Sequence, residues 1–550
     1  MNWQALRSGA GNAAHLKTQG SSTCGMLLSM AFAGIAELKT SGVSATDKRT
    51  MHKINPWVSR CIIVALLLSA FRTSVEAQQA QSGPVWSYAL VDGSQLVDDC
   101  PICDRVPIIR PLRGTFQLRL VQQDPLFSTY ALENLSFTAG DTNGPNYKVV
   151  GNGTYRVGGE IALQQYIFLE VSIDNGSTNQ LCFFTNAVSS VSRLWPMIQV
   201  GVDQTNGTEA QQFHLDIGTA PLREIWFSTS QAFKAGIWNP PTNLVSAGDL
   251  ISSAGRVVKR NQELTQNLGI MPPVPDLGLK DVDVLPGGEM AFSIETAAWS
   301  ETLGAELHPG DLLSDRGRLL RTNQQLTAAF IPQPPAPVDV GLRALQVMDN
   351  GEIYFSVETN FFSEKLSRLV QPGDLLADPG LMVEANADLI GRFSPAKPTN
   401  DCGLNAIYVW TSGEIWFSTQ NGFYDSSSNY YAPGDLLSDQ GYVVYRNSEL
   451  LAAFQPPGSV ADFGLDALFV VTDAVPASPA AKLGLPQLIN QPPASLTVQR
   501  SGGSRAFQLE RATNAAGPYM PVSPITTDAL FLDAGALTNQ PQAFYRLHQW

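Results

Sequence analysis

From about residue 86 onward, short runs of alternating apolar and polar residues are separated by Gly, Asn and Pro. In Phe116-Gln117-Leu118-Arg119-Leu120 an extended chain puts its apolar side chains on one face and its polar ones on the other. Strand-like stretches recur at 115–121, 147–150, 154–157, 166–173 and 181–184, and Asn-Gly pairs at 143, 152, 175 and 206 supply turns. This pattern predicts a sandwich-like or barrel-like N-terminal β domain over 78–210. Asn134, Asn152, Asn175 and Asn206 each begin an Asn-x-Ser/Thr sequence, but turn chemistry explains the Asn-Gly pairs more directly.

A longer period then takes over. Arg-Glu-Ile-Trp-Phe-Ser at 223–228 is echoed at 288–293, 351–356 and 413–418, placing Glu224, Glu289, Glu352 and Glu414 at one repeated position. Each is followed 21–25 residues later by Gly-Asp-Leu, with Asp249, Asp311, Asp374 and Asp435. Asn261, Asn323, Asn386 and Asn447 form a third landmark, and Asp-x-Gly-Leu recurs at 276–279, 339–342, 401–404 and 462–465. The period is about 62 residues, so 211–475 reads as four copies of one β unit. About four strands per copy cannot bury both faces alone, which predicts a propeller-like assembly, with an open stack or packed sheets as the alternative. The last Asp-x-Gly-Leu, at 462–465, has no Glu-Ile partner after it, so a late strand is expected to complete the first unit and close a ring.

A small-residue linker, 476–484, leads to short strands at 495–500, 506–511, 529–533 and 543–547. Residues 485–550 therefore fit a small immunoglobulin- or fibronectin-like sandwich, and the whole chain is expected to be all-β. The segments Leu465-Asp466-Ala467-Leu468, Gly413-Glu414-Ile415-Trp416-Phe417-Ser418 and Gly434-Asp435-Leu436-Leu437 resemble a repeat of large secreted bacterial proteins. The Glu-Arg-Ala-Thr-Asn-x-x-Gly-Pro-Tyr run and the terminal Phe-Tyr-Arg-Leu are similar to C-terminal modules of such proteins. The resemblance implies an extracytoplasmic repeat module with an attachment or display unit, and it brings no catalytic residues with it.

Compartment follows from residues 51–77. Lys53 and Arg60 precede an apolar run from Cys61 to Phe71, and a polar stretch ends at Ala77. That order is a secretory signal peptide with cleavage after Ala77. The run is too short to span a bilayer. Residues 1–50 show neither strand alternation nor an amphipathic pattern, and they read either as a disordered extension or as lying before a start at Met51. The chain carries 35 Lys and Arg against 49 Asp and Glu, and residues 78–550 carry 27 against 46. Such acidity excludes a broad phosphate-binding surface, and with it nucleic acid. A secreted, cell-surface or periplasmic protein can oxidise its thiols, so Cys100-Pro-Ile-Cys103 is a candidate disulfide; no second Cys/His pair completes a zinc site.

Candidate chemistry is sparse. Repetition of the four Glu and four Asp landmarks points to structural roles, since a catalytic acid needs an individually tuned environment. Asp311 with Asp315, and Asp435 with Asp439, supply few oxygens for calcium, which remains the only cofactor alternative to none. His214, His308 and His548 belong to no ligand cluster, and neither a nucleophile elbow nor a phosphate loop is present. The expected function is a non-enzymatic binding or cell-surface interaction protein for an extracellular protein or glycan. The alternative is a secreted carbohydrate-active enzyme with its site in the repeat assembly. N-terminal sequencing of the exported chain should give Gln78 as the first residue, and retention of residues 51–77 would refute the cleavage assignment.

Overall fold

The computed structural model describes residues 84–550 except 104, 141–145, 188, 239–242, 334–338, 459–461, 476, 490–494 and 536–541. The extension 1–50, the signal peptide 51–77 and the cleavage point at Ala77 lie outside the described residues. The described chain is all-β, with helices of one turn or little more.

The N-terminal domain contains β1 (Val85–Leu90), β2 (Gln95–Asp99), β3 (Ile108–Gln123), β4 (Phe127–Ala139), β5 (Tyr147–Gly158), β6 (Gln164–Asp174), β7 (Asn179–Thr185), β8 (Ser189–Ser190), β9 (Ile198–Gln204) and β10 (Gln212–Ala220). Antiparallel pairing runs β10-β2-β3-β4-β5-β6-β7-β9, and β9 pairs back onto β10. The domain is thus one continuous sheet whose pairing returns to its start, rather than the two packed sheets of a sandwich. Long strands with local irregularities allow this curvature: β3 and β4 carry register shifts at Thr115/Gln117, Leu120/Gln122 and Leu132/Leu135. A Cβ at Gly151 or Gly153 of β5 would lie 2.2 Å from a β6 carbonyl oxygen, so glycine permits the close approach there. Inward alternation supplies the core, as in β9, where Ile198, Val200 and Val202 are buried. Cys100 and Cys103 form a disulfide after β2, and Cys182 and Cys402 are buried free thiols.

Each repeat forms one four-stranded antiparallel sheet. The inner strands of the second, third and fourth are Asp281–Leu285, Arg343–Val347 and Leu404–Val409. Each pairs with the strand carrying the Phe-Ser motif, then with the Gly-Asp-Leu strand and one more. The first sheet takes its inner strand from the far end of the repeat region: Leu468–Val471 pairs with Glu224–Phe227, with Glu224 opposite Val471 and Phe227 opposite Leu468. The four inner strands pack against one another cyclically, second on third, third on fourth, fourth on Leu468–Val471, and that strand back on the second. Buried serines tie this cycle: the hydroxyls of Ser228, Ser293, Ser356 and Ser418 donate to the carbonyls of Leu279, Leu342, Leu404 and Leu465 at 2.9, 3.4, 2.9 and 2.6 Å.

The Asp and Asn landmarks knot the end of one repeat to the start of the next. In the fourth repeat Asp435 accepts the Asn447 N–H at 3.2 Å and the Ala432 N–H at 2.9 Å. The Asn447 amide donates to the carbonyls of Gly434 and Gly464, and its oxygen accepts the Phe463 N–H. Asp462 closes the knot by accepting the N–H groups of Gly434 and Gly464. Asp249 with Asn261 and Asp311 with Asn323 repeat these bonds, and Asp374 accepts the Asn386 N–H in the same way, but the Asn386 side-chain amide donates to the Asn400 carbonyl. Each Asn opens a helical turn: Asn261–Thr265, Asn323–Thr327, Asn386–Leu389 and Asn447–Leu450.

The C-terminal module has two sheets facing across Val498, Phe507, Leu509 and Phe531. Lys482–Leu483 pairs with Ser495–Ser501, so the end of the predicted linker already belongs to this module. Asp473 joins all three parts of the chain. Its carboxylate accepts the Ser87 N–H, the Arg223 guanidinium at 2.7 Å and the Trp550 indole N–H at 3.0 Å.

The knot leaves no room for a side chain at its glycine: a Cβ on Gly434 would sit 2.1 Å from the Asp462 carboxylate oxygen. Gly434→Ala should therefore destabilise the protein by about 3 kcal/mol, read from urea unfolding. An unchanged midpoint would refute the role of the knot.

Candidate functional site

The Glu landmarks project beside their sheets and bind within them. Glu224 accepts from the Trp226 indole at 3.0 Å, Ser252 at 2.7 Å and Arg256 at 2.7 Å. Glu289 is held by Ser314 and Arg318, and these bonds together with the neighbouring Arg316 lower its pKa although burial opposes the charge. Glu352 differs because Ala377 and Leu381 stand where the other repeats carry a serine and an Arg or Tyr; its carboxylate instead takes the Asn350 amide at 2.8 Å. All four thus have side-chain hydrogen-bond donors within their own sheets. The second Asp of each acidic turn is also committed to backbone, with Asp315 accepting the Met290 N–H and Asp439 the Ile415 N–H, both at 3.0 Å. Among the described residues no group of three or more His, Cys, Asp or Glu is placed to hold a metal ion.

Glu414 is the landmark that reaches another domain. It accepts Ser438 at 2.8 Å and Trp416 at 3.0 Å, and it pairs with Arg193 from the N-terminal domain at 2.8 and 2.9 Å. The pair is almost wholly buried, and the Arg193 guanidinium lies 4.4 Å from the centre of the Tyr442 ring. Arg113 braces the same contact from farther along by gripping Glu449.

Beside this brace runs an open groove of about 760 Å3 between the N-terminal sheet and the fourth repeat. Gln165, Ser189, Ser192 and Gln199 line one wall, and Arg392, Gln440 and Tyr442 the other. Its carboxylates are already engaged: Asp92 with Arg113 at 3.0 Å, and Asp216 with Gln95 at 2.6 Å and His214 at 2.9 Å. His214 also pairs with Asp203 at 2.7 Å; partial burial opposes its charge, but the two carboxylates outweigh burial and raise its pKa. His308 donates its backbone N–H to Asp311, and His548 stacks on Trp550 with ring centres 4.3 Å apart. The three histidines do not meet.

Where the repeats should be most alike, at their common axis, they diverge. The residue after Leu in Asp-x-Gly-Leu is Lys280, Arg343, Asn405 or Asp466, all buried. Arg343 donates to Asn405 at 2.6 Å, and Asn405 donates to Asp466 at 2.9 Å, linking neighbouring inner strands. One position further, Asp281 stands where the other copies have Ala344, Ala406 and Ala467. Ser293 donates to one of its oxygens at 3.0 Å, and the other has no protein partner. Complete burial pushes the Asp281 pKa up to about 7, against the lowering effect of Ser293 and Arg343. The sequence signal for this cluster was the one position that changes chemistry in every copy. Arg193, Tyr442 and the groove residues carry no repeat signature and were missed.

No protein-family model matches this chain, and no curated protein matches it. The axial carboxyl gives a measurable consequence. Because Asp281 binds its proton more tightly folded than unfolded, its contribution to stability is present at low pH and is lost as pH rises from about 4 to about 7. Asp281→Asn should therefore flatten the fall in unfolding midpoint between pH 4.5 and 8 relative to the parent chain. Parallel pH profiles would refute the assignment.

Proposed function

We propose that this chain is an exported, non-enzymatic β-repeat protein that holds a hydroxyl-rich glycan in the groove between its N-terminal sheet and fourth repeat. In this reading the four sheets are the blades of a closed propeller, a rigid scaffold for the groove, and the C-terminal sandwich serves attachment or display.

The observation that carries the reading is the groove lining. Amides and hydroxyls of Gln165, Ser189, Ser192, Gln199 and Gln440 surround a space of about 760 Å3 beside the Tyr442 ring. Polyhydroxylated ligands are held by many such groups. An acidic chain with 35 basic residues against 49 acidic ones suits a neutral glycan better than a polyanion. Glycoside hydrolysis would need two carboxyl groups flanking the bond, about 5–9.5 Å apart. Asp92 and Asp216 are held by cationic and amide partners, which favours binding over turnover. Among the described residues no helix is long and apolar enough to cross a membrane.

A glycan array probed with the full chain tests this directly. Binding to neutral glycans should fall at least about tenfold in the Ser192→Ala/Gln199→Ala double variant, in line with the loss of two hydrogen-bonding groups. Release of new reducing ends from a bound glycan would favour the enzymatic alternative, and unchanged binding by the double variant would remove the groove as the site.

A further inference from the structure

Arg505 of the C-terminal module reaches into a space bordered by the inner strands Asp281–Leu285 and Arg343–Val347. Its guanidinium donates to Asp283 at 3.1 and 3.3 Å, to the Val284 and Val347 carbonyls, and to Asp349 at 3.2 Å. The remaining space is a chamber of about 140 Å3, with Tyr408 and Phe469 among its lining residues and Trp410 and Trp550 in its walls. Trp550 is fixed there by its bond to Asp473.

Most polar groups of the wall are already used. The Gln346 amide exchanges bonds with the backbone of Val409 at 2.6 and 3.3 Å, and the Thr472 hydroxyl donates to the Pro221 carbonyl. Tyr408 is the exception. It is more than nine-tenths buried, lines the chamber, and its hydroxyl has no hydrogen-bond partner among the described residues. Burial raises its pKa, so it stays a donor. Trp410, a second wall residue, also has a buried indole N–H without a partner. An unpaired buried donor costs free energy that a ligand oxygen would recover.

We infer that this chamber is a second binding site, distinct from the groove, for a neutral molecule the size of one aromatic ring that carries a carbonyl or hydroxyl oxygen to pair with Tyr408. Size sets the upper limit, since a cavity of about 150 Å3 accepts benzene. The aromatic walls supply most of the contact. Neutrality follows because the charged groups beside the chamber, Arg505 with Asp283 and Asp349, are already paired with one another and leave no free charge for an ionic ligand.

Calorimetric titration of the full chain with acetophenone and with ethylbenzene tests the site. Both should bind the parent protein. Tyr408→Phe should weaken acetophenone about tenfold and leave ethylbenzene within about twofold. Met348→Trp, which puts a larger side chain into the wall, should abolish binding of both. The inference is overturned if neither compound binds, if Tyr408→Phe leaves acetophenone unchanged, or if Met348→Trp binds like the parent.

Discussion

A single carboxylate at the head of each repeat sets the register of the whole repeat region. Asp276, Asp339 and Asp462 reach back to accept the N–H of Gly248, Gly310 and Gly434 in the preceding repeat while also capping their own Gly turn. The bond requires a glycine at the acceptor's closest approach, because a Cβ there would come within about 2 Å of the oxygen. Buried Asn residues then satisfy the carbonyls that this turn leaves exposed. Every later feature, from the serine ties to the groove wall, depends on sheets being placed by this contact.

Much of this was legible in the sequence because burial imposes the same demand on each copy. Gly-Asp-Leu and Asp-x-Gly-Leu repeat since the knot tolerates no substitute for the Gly or the Asp, and the terminal Phe-Ser of the Glu-Ile motif repeats since Phe packs and Ser bonds across the ring. The unpaired last Asp-x-Gly-Leu marked the strand that joins Glu224–Phe227. The closure of the N-terminal sheet was not legible. It depends on β10 pairing with β2, joining Gln212 to Asp99, and no local pattern records a partner so distant in sequence. The Arg193–Glu414 pair hides for the same reason, at 221 residues of separation.

Buried charge is paired, often by residues from distant parts of the chain. Removing water from an ion pair costs several kcal/mol per ion, so pairing has to be nearly complete. Arg193 meets that demand with two carboxylate bonds and an aromatic face, and Arg505 meets it with two aspartates and two carbonyls. Asp281 has no cation within hydrogen-bonding reach, and its proton affinity rises accordingly. Burial raises the pKa of Asp283 and Asp466 as well, but Asp283 has Arg505, and Asp466 has Ser230 and Asn405, as side-chain donors, and this difference distinguishes four copies of one sequence pattern.

The borrowing of Leu468–Val471 by the first sheet also dictates an order of assembly. A chain synthesised from its N-terminus can complete the second, third and fourth sheets in turn, but Trp226 and Phe227 must wait for Leu468 and Phe469. Closing a loop of that length is slow relative to local pairing. Until it happens the first repeat keeps its apolar strand without its edge partner, so the first sheet is the last of the four to be finished.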